Sequence, residues 1–286
     1  MQKIFMDDAV EKMTKTMELR GFATSTKKTY LGHLRRFAEF SGKHPSACGY
    51  DDVRSFLHHS INVRKLSPQF INSAYGALKF FFESALCREW NMKHIPRLKS
   101  KHSLPEVLSK EEVASILSHI TNLKHKAMIT TIYSAGLRIN EAAHLKISDI
   151  DSKNMRIFVR QGKGNKDRFT LLSKNNLCLL RDYYRLYKPK EWLFPGFLPT
   201  NPISVRNIQV VFKNGVKAAG IKKKVSVHTL RHSFATHLLN QGASIIQIKD
   251  LLGHYDIQTT TIYLHLSNAQ VLGINSPFDE GDDFNA

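Results

Sequence analysis

Cysteine and negative charge are the two things this sequence has little of. Its three cysteines, Cys48, Cys87 and Cys178, lie far apart and show no metal-ligand spacing. That excludes a disulfide framework or a cysteine-built metal centre, and the thiols read as reduced and partly buried. No run of about 18 consecutive apolar residues exists to cross a membrane. The first residues also lack the basic start and apolar stretch of a signal peptide, so a cytoplasmic protein is expected. No internal repeat or low-complexity region appears.

Acidic residues number 24 against 42 lysines and arginines, a formal net charge of +18 at pH 7. An excess of that size points to a polyanion partner. The body of the chain is more basic still, because Asp279, Glu280, Asp282 and Asp283 sit in a tail with no Lys or Arg after Lys249. A length of 286 residues suits two domains better than one.

Helical spacing of Val10, Met13 and Met17 predicts a first helix over Asp7–Leu19, closed by Gly21. Ser25 or Thr26 is placed to cap a second, with Tyr30, Leu34, Phe37 and Ala38 as its apolar stripe and Lys27, Lys28, Arg35 and Arg36 on other faces. A third starts at Asp51, and Ser67-Pro68 gives an N-cap and an N1 proline to a fourth carrying Ile71, Tyr75, Leu78, Phe81 and Phe82. Together these predict a small all-α domain over residues 1–95. Pro96 and Pro105 flank Arg97, Lys99 and Lys101 without a helix or strand period, so residues 96–105 read as a basic linker.

A second domain over 106–274 is expected to open on the capping box Ser109-x-x-Glu112. Lys124–Ser134 is helical in pattern and Gly136 ends it. Arg138 then stands at the start of a helix that includes Glu141, Ala142 and Leu145, where Arg138 and Glu141 read as a surface ion pair. Beyond Asp151 the period drops to two: Ile157 and Val159 alternate with Arg156, Phe158 and Arg160, and Phe169 and Leu171 recur after a Gly-Lys-Gly-Asn turn. This predicts a β-hairpin with Lys163 near its tip and Lys166 and Arg168 as the near competitors for any role given to Lys163. Further helices are expected over Lys174–Leu186 and Ser204–Ala219, and a short one over Asn268–Leu272. The acidic residues 275–286 follow as a mobile tail. The fold class is therefore mainly α, with a small β-sheet confined to the second domain.

The chemistry gathers between His228 and Tyr263. His228 and Arg231 are three apart, so on a helix they share a face and can grip one anion. Gly242 and Gly253 read as helix C′ positions, which puts His254 in a tight turn. Tyr263 follows on a short helix that Asp256 could cap. His228, His232 and His237 also lie at spacings of four and five, which a zinc-dependent nuclease could use. No carboxylate accompanies them in a zincin-like pattern, and His232 reads as packing.

Taken in order, Arg138, Lys163, His228, Arg231, His254 and Tyr263 resemble the active-site set of the tyrosine recombinases, the phage-type integrase family. The resemblance covers roughly residues 104–272 at motif level. It departs from the family at Tyr255, which follows His254 where a small polar residue is common and sets a second tyrosine near the site. By this resemblance the first domain is a core-binding domain and the second a mixed α+β catalytic domain. Arg138 and Arg231 bind a scissile phosphate, His228 and His254 complete the shell, and His228 is a candidate proton acceptor. Lys163 protonates the leaving 5′ oxygen and Tyr263 is the nucleophile, with no metal, cofactor or ATP. The implied partners are double-stranded DNA with inverted half-sites and a homotetramer on two DNA sites, with the segment after Tyr263 linking protomers. Without an additional amino-terminal arm-binding domain, the chain resembles compact Xer proteins and mobile-element integrases. Integration or excision is the first expected task and resolution of replicon dimers the second. A non-catalytic DNA-binding regulator is the competing class, because the segments around Gly242 and Gly253 have a helix-turn-helix look. It leaves the Arg, Lys, His and Tyr set unexplained.

Overall fold

A computed structural model describes residues 2–91, 95, 97–99, 104–160 and 167–266. Lys163, Lys166, the segment Asn268–Leu272 and the acidic tail fall outside the described residues. Contacts divide the chain into two units, Met1–His102 and Ser103–Ala286.

The first unit is helical throughout its regular structure. α1 (Gln2–Leu19), α2 (Thr24–Ser41), α3 (Tyr50–Asn62) and α4 (Pro68–Phe80) bury one core that includes Met13, Met17, Leu34, Phe37, Phe56 and Leu78. Local sequence sets most of the boundaries. Ser67 Oγ accepts the Phe70 N–H at 3.3 Å with Pro68 behind it, and Asp52 Oδ2 accepts the Gly49 N–H at 2.9 Å at the start of α3. The expected cap of α2 at Ser25 or Thr26 is corrected: the helix begins at Thr24 behind Ala23, which offers no side-chain cap. α4 passes directly into a π-helical turn over Phe81–Ala85. Part of the expected linker packs here, since Leu98 rests against this core beyond the buried Ile95 and the Asn72 side chain donates to the Leu98 carbonyl at 3.1 Å.

The second unit mixes α and β. α5 (Lys110–Ser118) carries the Ser109–Glu112 capping box in both directions, at 3.2 and 2.7 Å. α6 (Leu123–Ala135) ends at Gly136, and α7 (Ile139–Ala143) is one short turn that stops before Leu145, not the longer helix expected. β1 (Ile150–Asp151), β2 (Arg156–Val159) and β3 (Arg168–Leu171) form an antiparallel sheet in the order β1-β2-β3, with Phe158 opposite Phe169 and Val159 opposite Arg168. β1 is a strand that no sequence pattern announced. Ile157, Val159 and Thr170 face the core, whereas Phe169 and Leu171 are exposed. Thr170 earns the inner position through its hydroxyl, which donates to the Ala135 carbonyl at 2.7 Å.

α8 (Lys174–Tyr187), α9 (Val205–Ala218) and α10 (Val227–Leu239) complete the larger core, in which Leu193, Phe194, Ile208, Phe212 and Leu230 are buried. α11 (Ile245–Leu252) and α12 (Gln258–Thr261) join the end of α10 around a smaller cluster of Phe234, Ala235, Leu239, Ile248, Leu252 and Tyr263. No helix among the described residues is long and apolar enough to cross a membrane.

Candidate active site

Two glycines bring the site together. Gly136 ends α6 in the left-handed region, φ 60°, and a Cβ there would lie 2.3 Å from the Phe234 ring of α10. Gly253 ends α11 with φ 63°, and a Cβ there would lie 2.7 Å from Arg168 Cδ. Any other residue at either place would hold apart the elements that carry the arginines.

Arg138 follows Gly136 and forms the N-cap of α7. Its backbone N–H donates to Glu141 Oε2 at 2.8 Å, Nη1 donates to Glu141 Oε1 at 2.8 Å, and Nη2 reaches the Gly253 carbonyl at 3.2 Å. Arg231 is more deeply set on α10. Its Nη1 and Nη2 donate to the carbonyls of Gly136 and Leu252, both at 2.6 Å, and Nη1 lies 3.9 Å from Glu141 Oε2. Burial, with Arg138 next, pulls Arg231 down to about 9, which leaves it charged at pH 7. A guanidinium has five N–H donors, so each fork retains donors for a phosphate after these fixing bonds.

Two residues that the sequence did not mark hold the arginines in place. Glu141, expected on the surface, is buried and takes both of its oxygens into a paired fork with Arg168, at 2.8 and 2.7 Å. Burial alone raises its carboxyl. The hydrogen bonds and charge of Arg168, with the backbone and side chain of Arg138, reverse that and leave it at about 2. Arg168 also donates Nε to the Leu251 carbonyl at 2.9 Å, tying β3 to the end of α11. As the near competitor of Lys163, it is thus committed beneath the site. The only hint in the sequence was the Arg138-x-x-Glu141 spacing, which does not say whether a pair is buried.

His228 is the exposed residue of the otherwise buried first turn of α10, where partial desolvation, then Arg231 and Arg138, lower its pKa. His254 follows Gly253 in the expected turn, with Nδ1 2.9 Å from Thr260 Oγ1. Burial and then the charges of Arg231, Arg138 and Arg168 bring it to about 3, so it is neutral at pH 7.

Tyr263 lies just beyond the end of α12, not on it as expected. Asp256 Oδ1 does accept the Gln258 N–H at 2.9 Å at the start of that helix. The Tyr263 ring fills the small apolar cluster and is only 2% exposed. Burial raises its pKa, while Arg231 and Arg138 oppose that rise. The imidazole at its hydroxyl is that of His232, expected to pack, with Nδ1 3.1 Å from Oη. Tyr255 is 90% exposed. His237 Nδ1 is 2.8 Å from the Tyr133 hydroxyl, so the imidazoles of the histidine series go to different partners. Among the described residues, no group of three or more His, Cys, Asp or Glu side chains could hold a metal ion.

Two family models match. Residues 106–270 match the phage integrase family and residues 10–92 match the phage integrase N-terminal SAM-like domain. An integrase/recombinase of Sinorhizobium fredii is 40% identical over 97% of this chain and 91% of its own. The tyrosine recombinase XerA of Pyrococcus horikoshii is 33% identical over 92% of this chain and 90% of its own. Among solved structures, the XerH site-specific recombinase bound to palindromic difH substrate aligns with a TM-score of 0.71 at 24% identity, covering 93% of this chain and 83% of that one. The Tn1549 transposon integrase with transposon right-end DNA aligns at 0.70 and 19% identity, over 95% and 96%. With both domains matched and near-full-length relatives of this kind, the chain belongs to the phage integrase family of tyrosine recombinases.

Proposed function

We propose that the protein cuts and rejoins double-stranded DNA at specific sites through a 3′-phosphotyrosyl intermediate, with Tyr263 as nucleophile. The observation that carries this reading is the placing of two guanidinium forks, Arg138 and Arg231, by one buried carboxylate and three backbone carbonyls next to a buried tyrosine. Attack on a phosphodiester builds charge on the non-bridging oxygens. Preorganised arginines stabilise that charge without reorganising, and His228 and His254 add donors at its edge. The Tyr263 oxygen gives up its proton to an imidazole of the site and bonds to phosphorus as the bond to the 5′ oxygen breaks, and Lys163 gives that oxygen its proton. A 5′ hydroxyl from a second DNA end reverses the step, so the bond energy is conserved in the phosphotyrosine.

The basic chain fits a DNA partner; that DNA is proposed to carry inverted half-sites, and exchange between two such sites calls for four copies of the protein. Integration or excision of a mobile element is the task proposed first. Resolution of replicon dimers is the second. Sequencing DNA captured covalently by the protein would separate them.

No step in this scheme uses a metal or a nucleotide. Strand exchange between two cognate sites is therefore expected to proceed at an unchanged rate in excess EDTA and without ATP. Loss of exchange in EDTA with rescue by magnesium or zinc would contradict the scheme.

A further inference from the structure

Among the described residues, His232 is the imidazole that meets the nucleophile's oxygen, and the scheme above gives it no part. It lies one helical turn after His228 on α10, directly after Arg231, with Nδ1 3.1 Å from Tyr263 Oη. The two rings are 5.8 Å apart between centroids and inclined at 49°, so the imidazole meets the hydroxyl through a nitrogen and does not stack on the ring. With the ring proton on Nε2, the Tyr263 hydroxyl donates to Nδ1.

The groups facing His232 are His228 and Arg231 from its own helix, His254 from the turn after α11, and Tyr263 itself. Burial first, then His228 and Arg231, hold its pKa below 6.5. A neutral imidazole with an unprotonated nitrogen at the phenol is the species a proton acceptor must be. The pKa of its neighbour His228 is lowered by burial first and then by the charges of Arg231 and Arg138.

We propose that His232 is the general base of strand cleavage, taking the Tyr263 proton on Nδ1 as Oη bonds to phosphorus. The bond from phosphorus to the 5′ oxygen breaks, and that oxygen leaves with a proton from Lys163. In rejoining, the attacking 5′ hydroxyl returns its proton to Lys163, and His232 returns the other to the departing tyrosine oxygen. His228 is left to the non-bridging oxygens. This inference rests on Tyr263 being the nucleophile.

The test is single-turnover formation of the covalent adduct on a suicide substrate, from about pH 5.5 to about pH 9.5, the range in which a histidine base shows its titration. Wild type, His232→Asn, His232→Ala and Tyr263→Phe would be compared. An asparagine amide can occupy the place of Nδ1 and keep a hydrogen bond to the phenol, but it cannot accept the proton. His232→Asn and His232→Ala should both lose on the order of 10²- to 10³-fold in rate at neutral pH. Both should climb toward the wild-type rate at the alkaline end, where hydroxide replaces the lost base, and both should lack the wild-type fall in acid. That recovery also shows the variants to be folded. A wild-type rate and profile in His232→Asn would overturn the proposal, because the residue would then only position the phenol. A loss that is the same at every pH would overturn it as well. Adduct formation by Tyr263→Phe is a separate failure, that of the nucleophile assignment itself.

Discussion

At Glu141 a carboxylate with 6% of its side chain exposed is shared by Arg138 and Arg168 and lies 3.9 Å from Arg231. Three cations would repel one another at this spacing, so the acid makes their assembly possible as well as orienting it. Glu141→Gln is expected to cost about 3 kcal/mol of stability at pH 7, the usual scale for breaking a buried ion pair from one side. The sign of its pH dependence follows from the shift. A carboxyl lowered from 4.5 to about 2 contributes stability that is complete above about pH 4.5 and is lost as pH falls toward 2. Urea unfolding of both proteins at pH 7 and at about pH 3.5 should therefore show the gap between them narrowing by about 1 kcal/mol. An unchanged gap would mean that Glu141 is not held ionised by its arginines. Of the six residues singled out in the sequence, Arg138, His228, Arg231, His254 and Tyr263 lie among the described residues and come within electrostatic reach of one another, and their order and spacing along the chain are what brought them forward. Glu141 and His232 were not marked for the site, since what distinguishes them is the approach of Arg168 on β3 and of Tyr263 beyond α12, which no local spacing encodes.

Among the elements, helix ends were the most legible. Ser67, Ser109, Gly136 and Gly253 act where their side chains or their absence of a Cβ said they would, because capping is a local matter. The sheet was harder to read. β1 has two residues, too few to show a period, and β3 turns Phe169 outward because Arg156 covers its ring at 4.1 Å and Phe158 lies beside it at 5.1 Å. The hairpin between β2 and β3 carries the lysine assigned to the leaving group, and Arg168 at its base is fixed to Glu141 and Leu251. Lys163→Ala is therefore expected to fail at expulsion of the 5′ oxygen. Replacing that oxygen by sulfur, which leaves with little need of a proton, should restore most of the cleavage rate. Arg138→Ala should gain much less from the same substrate, since its loss is at the non-bridging oxygens. If Lys163→Ala gains nothing and Lys166→Ala is rescued, the acid is Lys166.

For the whole molecule, charge and length were read directly from composition: +18 over 286 residues, in a chain whose contacts fall into two units. The residue that decides what such a molecule does to DNA is nevertheless one tyrosine among 9, and two of them, Tyr255 and Tyr263, follow closely after His254 in sequence. Tyr255 is 90% exposed, whereas Tyr263 is 2% exposed, with its hydroxyl on His232 and its pKa raised by burial against the opposing charges of Arg231 and Arg138. The direct measurement is to trap the protein on a nicked suicide substrate, digest the adduct and identify the peptide that carries the 3′-phosphoryl DNA. DNA on Tyr263, together with no adduct in Tyr263→Phe and retained adduct in Tyr255→Phe, is the expected result. DNA on Tyr255, or adduct that persists in Tyr263→Phe, would contradict it.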